Sequence, residues 1–241
     1  GADVLALTTD SHREEMGLTP RWLRPTREMV GRIFKLGTPT ALQWTIGSIS
    51  WLVVITLINQ YGVTVSAGNG VSNKIRDFCQ LFITAMTTGA GTMCAQCLGA
   101  GMRDRAEQVM KTCMKITLAM AGVIILLAEL LAPQMASIFT PDPQVREWAV
   151  RNLRIEIVGQ VFYAGMFTYN TLATGSGHTV FIMWNSFLNC IVVRLVLAVI
   201  LDHFLGVLGV YIACGVAVAS SVPVGYWFYR SKRWHHSLNV R

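Results

Sequence analysis

Residues 37–62 read GTPTALQWTIGSISWLVVITLINQYG, and from Pro39 to Gln60 they contain no Asp, Glu, Lys, Arg or His. A helix crosses a hydrocarbon core with roughly 20 mainly apolar residues, and this run supplies them. A soluble helix of similar length carries charges on the side that meets water. Here the polar residues are small and neutral. Thr40, Gln43, Gly47 and Ser50 recur at steps of three and four, so they share one face. Leu52, Val53, Ile55 and Ile58 lie mostly elsewhere and suit lipid or helix packing. The stretch predicts a membrane-spanning helix whose polar stripe faces a bundle interior or a wet cavity. Close helix packing without a transport role fits the same stripe.

The rest of the chain repeats this chemistry. Of its 241 residues 53% are hydrophobic and only 14% charged, against about 25% charged in ordinary globular chains. A polytopic membrane protein follows. The net charge of +7 does not indicate nucleic acid, because the basic residues cluster between apolar runs and no aromatic-basic recognition motif accompanies them. Six cysteines lie in or beside the apolar spans. Cys94 and Cys97 form a C-x-x-C without a second pair at zinc spacing, so they read as small core residues and no metal site is expected. The chain opens on a polar segment with Gly1 in place of Met and shows no signal peptide, which suggests a piece of a longer protein.

Six spans are expected, at about residues 39–60, 67–98, 112–131 (ending at Pro133), 148–174, 181–201 and 205–229. Residues 26–36 alternate basic and apolar positions and predict a short amphipathic helix at the headgroups. The domain reading is a cytoplasmic segment over 1–36, a six-helix transmembrane lobe over 37–230 and a basic cytoplasmic tail over 231–241. With alternate loops on alternate sides, about 14 of the 20 Lys and Arg fall on one face, which the positive-inside rule makes cytoplasmic. Both termini are then inside a multi-pass protein of the cell membrane. Trp148, Trp184, Trp227 and Trp234 suit an interfacial belt.

Span four carries Glu156, Gln160, Tyr163, Phe167, Asn170 and Thr174 at steps of four and three, one stripe that must look inward. Span five contains Arg194 among apolar neighbours. Glu156 and Arg194 both fall roughly 12 Å below the same end of their spans, at about 1.5 Å per residue. Sequential spans are usually neighbours, so an intramembrane Glu156–Arg194 pair, direct or water-bridged, is expected, fixing helix register or serving coupling and substrate electrostatics. Lys74 and Asp77, three apart, form a second expected pair. Asp77, Glu129 and Asp202 read as solvated charges near span ends.

Several segments together resemble a known family: GTPTALQ, SIS and INQYG, then AGNGVSNKI, the MCAQCLGAGMRDRAEQ loop, TLATGSGHT, NCIVVRLVLAVIL and LGVLGVYIA. In this order they are similar to the second half of multidrug and toxic compound extrusion (MATE) transporters. The resemblance implies a fold of twelve helices in two lobes, of which this chain is the C-terminal one, with an N-terminal lobe as its partner in the bilayer. It implies export of organic cations, drugs or toxic metabolites as small amphiphilic substrates, in exchange for protons or sodium ions, with no cofactor. Gln43, Gly47, Ser50, Gln160, Tyr163 and Asn170 are the expected substrate-pathway residues. The sequence departs from the family pattern where Gly47 stands at a carboxylate position of the first helix. It departs again near Tyr163, at a fourth-helix carboxylate position, and at Thr174, in place of an arginine. The resemblance therefore places coupling on acids of the other lobe.

The alternatives are a lipid-linked oligosaccharide flippase, which calls for a more cationic cavity, a non-transporting membrane fragment, and a membrane enzyme. An enzyme is disfavoured because His12, His178, His203, His235 and His236 all lie in loops or end segments.

Overall fold

A computed structural model describes residues 27–235; the expectations for the first 26 residues and for the tail beyond His235 lie outside them. The chain divides at Thr38/Pro39 into two compact units. In the first, residues 27–38 are helical with Met29, Ile33 and Phe34 exposed. Helix α1 covers Arg27–Asn59 with Pro39 inside it.

Long helices follow, α2 over Val63–Gly99 and α3 over Arg103–Phe139. Pro133, expected to end the third span, sits inside α3. Between them these two helices use small residues for close approach. Ala106, Cys113, Thr117, Ala121, Ala128, Ala132 and Ala136 are buried along α3, which packs on α2 and on α5, the helix Gln160–Gly175. Without a hydrophobic driving force between helices in lipid, such a stripe gains its stability from dispersion at short range.

The fourth span is not one helix. It consists of α4, Pro143–Ile157, and α5, joined at Val158–Gly159. Asp142 caps α4, its carboxylate accepting from the Gln144 N–H at 2.9 Å. The break falls where Gly159 lies against the backbone of Gly215; a Cβ there would stand 2.9 Å from the Gly215 oxygen. Among the described residues five helices are long and apolar enough to cross a membrane, and the broken α4–α5 pair stands where the fourth span was expected.

The fifth pass, Thr179–Leu205, begins as α6 (Thr179–Phe187), widens into a π-helical stretch at Leu188–Leu195 and resumes as α7 (Val196–Leu205). Gly206, with φ 61°, turns the chain directly into α8 (Val207–Ala217), a sign of φ that favours glycine. A short tight turn leads to α9, Ser221–Arg230.

Apolar clusters close both ends of the bundle. At one end Val54, Ile58, Val65, Val207, Val210 and Tyr211 pack together. At the other, Leu98, Ala106, Met110, Leu172, Phe228 and Trp234 do so. Trp234, expected in an interfacial belt, is instead 1% exposed, with its indole N–H donating to the Tyr229 carbonyl at 3.0 Å. Trp184 and Trp227 are exposed, and Trp148 is half-buried. Leu126, Leu130, Val199 and Phe204 are among many large apolar side chains on the exterior. An apolar outside around a polar inside is the arrangement lipid demands.

Candidate functional site

The polar residues of α2 repeat at helical spacing, Asn69, Ser72 and Arg76, and all turn inward. Opposite them α4 presents Asn152 and Glu156, one turn apart and both buried. Asn152 donates to the Asn69 side-chain oxygen at 2.9 Å. Arg76 pairs through Nη1 with Oε2 of Glu156, whose side chain is 2% exposed. The same guanidinium lies 3.5 Å from the exposed Asp77 carboxylate and 5.0 Å from the Trp51 ring centroid. A carboxylate taken out of water needs such a partner, because an isolated buried charge costs several kcal/mol.

The Glu156–Arg194 pair is therefore corrected: the partner of Glu156 is Arg76, on a helix eighty residues earlier in sequence. Arg194 remains near enough to act on Glu156 through space, yet it makes no ion pair or hydrogen bond among the described residues. Asp77 likewise sits on Arg76 and not on Lys74. The other two charges read as solvated also have partners: Glu129 lies 3.5 Å from Arg154, and Asp202 accepts from the Tyr61 hydroxyl at 2.6 Å. That contact holds the Tyr61 phenol above its ordinary range, with the hydrogen bond as the main cause.

The expected pathway residues divide into groups. Gln160 is fully buried one turn beyond Glu156, and both its amide atoms lack partners among the described residues. Tyr163 is half-buried, stacked on Phe167 with centroids 5.9 Å apart, and interacts electrostatically with Arg194. Asn170 is buried and accepts a long 3.5 Å contact from Asn185. Ser50 is buried and donates to the Cys190 carbonyl at 2.6 Å, tying α1 to the π-helical stretch. Gln43 and Gly47 are half-buried. Thr174, the end of the proposed stripe, is exposed. Asn189 fixes the fifth pass to the sixth, donating to the Ala217 carbonyl and the Ser221 hydroxyl at 3.1 and 3.0 Å.

Sequence reading missed Arg76 and Tyr211. Tyr211 of α8 is fully buried, its hydroxyl is without a partner among the described residues, and it feels the Glu156 charge. The Asn69, Ser72 and Arg76 spacing was the available signal for the α2 face. The polar interior thus joins α2, α4, α5, the π-helical stretch and α8 in one cluster. Among the described residues no group of three or more His, Cys, Asp or Glu could hold a metal ion.

Comparison with known proteins places this architecture. A family model described as MatE matches residues 39–200. The chain is 26% identical over 219 residues to the probable multidrug resistance protein YoeA of Bacillus subtilis, covering 87% of this chain and 46% of that one. It is 23% identical to the probable multidrug resistance protein NorM of Thermotoga maritima, covering 92% and 48%. The chain thus spans about half the length of these curated relatives. Among solved structures, the Vibrio cholerae MATE transporter VcmN in its bent form superposes with a TM-score of 0.83 at 16% identity, over 98% of this chain and 54% of that one. An outward-facing multidrug resistance MATE family transporter gives 0.81 at 21% identity, over 89% and 49%. These likenesses establish the fold.

Proposed function

We propose, for a chain that belongs to the MatE family, that it forms the C-terminal lobe of a secondary antiporter exporting organic cations, drugs or toxic metabolites. Protons or sodium ions drive the export. The observation that carries this reading is the inward polar cluster around Arg76 and Glu156, enclosed by helices whose exteriors are apolar. A structural bundle has no need to bury so many polar groups in lipid, where each one is costly. The relatives' multidrug names and the half-length match support the assignment to one lobe of two.

In this reading the substrate cavity lies between this lobe and an N-terminal lobe, with Gln43, Gly47, Ser50, Gln160, Tyr163 and Asn170 contributing to the pathway. Residues 1–36 form the cytoplasmic inter-lobe segment, and 231–241 a cytoplasmic tail. The protein resides in the cell membrane with both termini inside. It moves its substrate without making or breaking bonds, so it is a carrier and not an enzyme. Alternating access follows when ion binding favours one of two lobe arrangements over the other.

The test is efflux of a fluorescent organic cation from sealed vesicles containing the complete transporter of which this chain is a lobe, under a proton gradient, a sodium gradient or neither. Export driven by one of the gradients is expected. Flux indifferent to both refutes the antiport reading.

A further inference from the structure

The face of α4 that turns away from the core is basic. Arg146, Val150 and Arg154 follow one another at steps of four, with Glu147 and Arg151 beside them. The buried Ala149, Asn152, Leu153 and Glu156 lie on the opposite face. Together with Pro133 of α3, the outward side chains line a cleft of about 500 Å³ that opens to the exterior. Val150 and Ile155 give it an apolar wall. Three guanidiniums and one carboxylate, that of Glu147, thus meet in one concavity. Arg154 is shared with Glu129 of α3 at 3.5 Å, and Arg151 lies 5.5 Å from the Trp148 ring centroid. Arg146 is half-buried and makes no ion pair or side-chain hydrogen bond among the described residues.

The cleft sits at the height of a lipid headgroup. Helix α3 has 37 residues, about 55 Å at 1.5 Å each, and so overreaches a hydrocarbon core of about 30 Å. Pro133 lies about 9 Å short of its end at Phe139. Leu130 and Leu126 precede Pro133 by three and seven residues, so they continue the same face of α3 toward the middle of the bundle. Both are well exposed, at 66% and 61%. A basic cleft above an exposed apolar strip has the outline of a phospholipid, phosphate above and acyl chain below. In the orientation proposed above this is the outer end of the lobe, where Lys and Arg are ordinarily scarce. The positive-inside rule therefore does not account for three arginines in one cleft there.

We infer that this cleft binds the phosphate diester of an anionic phospholipid, with one acyl chain laid along Leu126 and Leu130. Basic clefts between membrane helices hold such headgroups. The charges of the cleft and of Glu129 leave one positive charge over, which a diester neutralises. Arg146 is free to grip two phosphate oxygens with its planar guanidinium fork, while Arg151 and Arg154 add charge at the rim. Glu147 disfavours a phosphate monoester, whose second charge it repels, and accepts from a headgroup hydroxyl. A glycerol headgroup supplies that hydroxyl. Choline has no donor and brings a cation among three guanidiniums. The site goes beyond the antiport reading and needs only that α3 and α4 stand in a bilayer.

The test is native mass spectrometry of the complete protein, stripped of lipid in detergent and titrated with phosphatidylglycerol. The first lipid is expected to bind saturably, and about fivefold tighter than phosphatidylcholine, the factor for one surface charge. Arg146→Gln weakens that binding at least about tenfold, as for a lost charged hydrogen bond. Arg151→Gln, which serves if Arg146→Gln does not fold, weakens it about fivefold. Arg103→Gln, at the opposite end of α3, leaves it unchanged. Neither inorganic phosphate nor glycerophosphoglycerol, the headgroup without its chains, displaces the lipid at equal concentration. Equal affinity for phosphatidylcholine overturns the site, as does unchanged affinity in a folded Arg146→Gln or Arg151→Gln protein. An equal loss in Arg103→Gln reduces the binding to general charge attraction and overturns it too. Displacement by inorganic phosphate makes the cleft a free-phosphate site and overturns the lipid assignment. No transport is read, so failure here leaves the antiport reading standing, and the reverse holds.

Discussion

Arg76 on α2 and Glu156 on α4 form a buried ion pair that fastens the second pass to the broken fourth one. The desolvation of both charges makes the pair a poor source of net stability, yet removing one partner strands the other. Glu156→Leu or Arg76→Leu alone is expected to cost about 3–5 kcal/mol. The double variant with both positions as Leu costs much less than the sum of the single changes. Unfolding midpoints in detergent for the four proteins check this as a cycle; additive costs would show that the two side chains do not depend on each other.

Gly159 and Gly215 touch at the crossing of the α4–α5 break with α8, but they are not equivalent. A Cβ on Gly159 meets the Gly215 oxygen at 2.9 Å, whereas one on Gly215 meets nothing nearer than the Ile155 oxygen at 3.5 Å. Gly159→Ala is therefore expected to destabilise by about 1–3 kcal/mol through overpacking. Gly215→Ala stays within about 0.5 kcal/mol, the range of substitutions that disturb no special feature. The same unfolding assay separates them.

The hydroxyl of Tyr61 in the α1–α2 turn donates to Asp202 at the end of α7. The folded protein thus retains the phenolic proton to a higher pH than an unfolded chain does. The stabilisation is complete below the ordinary tyrosine range near about 10 and is lost as pH rises through the raised value. The phenolate absorbance difference between the unaltered protein and Tyr61→Phe should show this late titration. Asp202→Asn should move it to lower pH, and no movement would remove the hydrogen bond as its cause.

Ser50 links α1 to the Cys190 carbonyl, and Ser50→Ala removes one buried hydrogen bond. A loss of about 1 kcal/mol is expected, with increased amide exchange around residues 188–195 as the local readout.

The inward faces were legible wherever composition and spacing agree. The charge-free stretch marks α1, and the placement of Glu156 and Gln160 four apart predicts that both are buried, as they are. What the sequence concealed depends on distant residues. The break at Val158–Gly159 lies in the run IVGQVF, whose apolar character suggests an unbroken helix; the backbone of Gly215 is what meets Gly159 there. Arg76 has no place among the sequence expectations, because the apolar part of its helix begins only at Phe78. Its partner Glu156 lies on α4, which the spacing within α2 does not reveal. Arg194 is buried, but not in the ion pair expected for it. Its neighbour in sequence depth, Glu156, was already held by a helix that depth arithmetic between adjacent spans does not consider. The alanines of α3 spaced by four offered a packing signal that polar stripes overshadowed.

These helices cross a bilayer with polar sides together and apolar sides outward. Spin labels at Leu126→Cys and Leu130→Cys on α3 and Val199→Cys on α7, all exposed in the lobe, test it most directly in membranes of the complete protein. Four native cysteines are buried, and the two half-buried ones, Cys97 and Cys190, are replaced by Ala to leave the label specific. Collision with oxygen dissolved in the lipid and protection from a water-soluble nickel chelate are expected at all three positions. Strong collision with the chelate at these positions would contradict it.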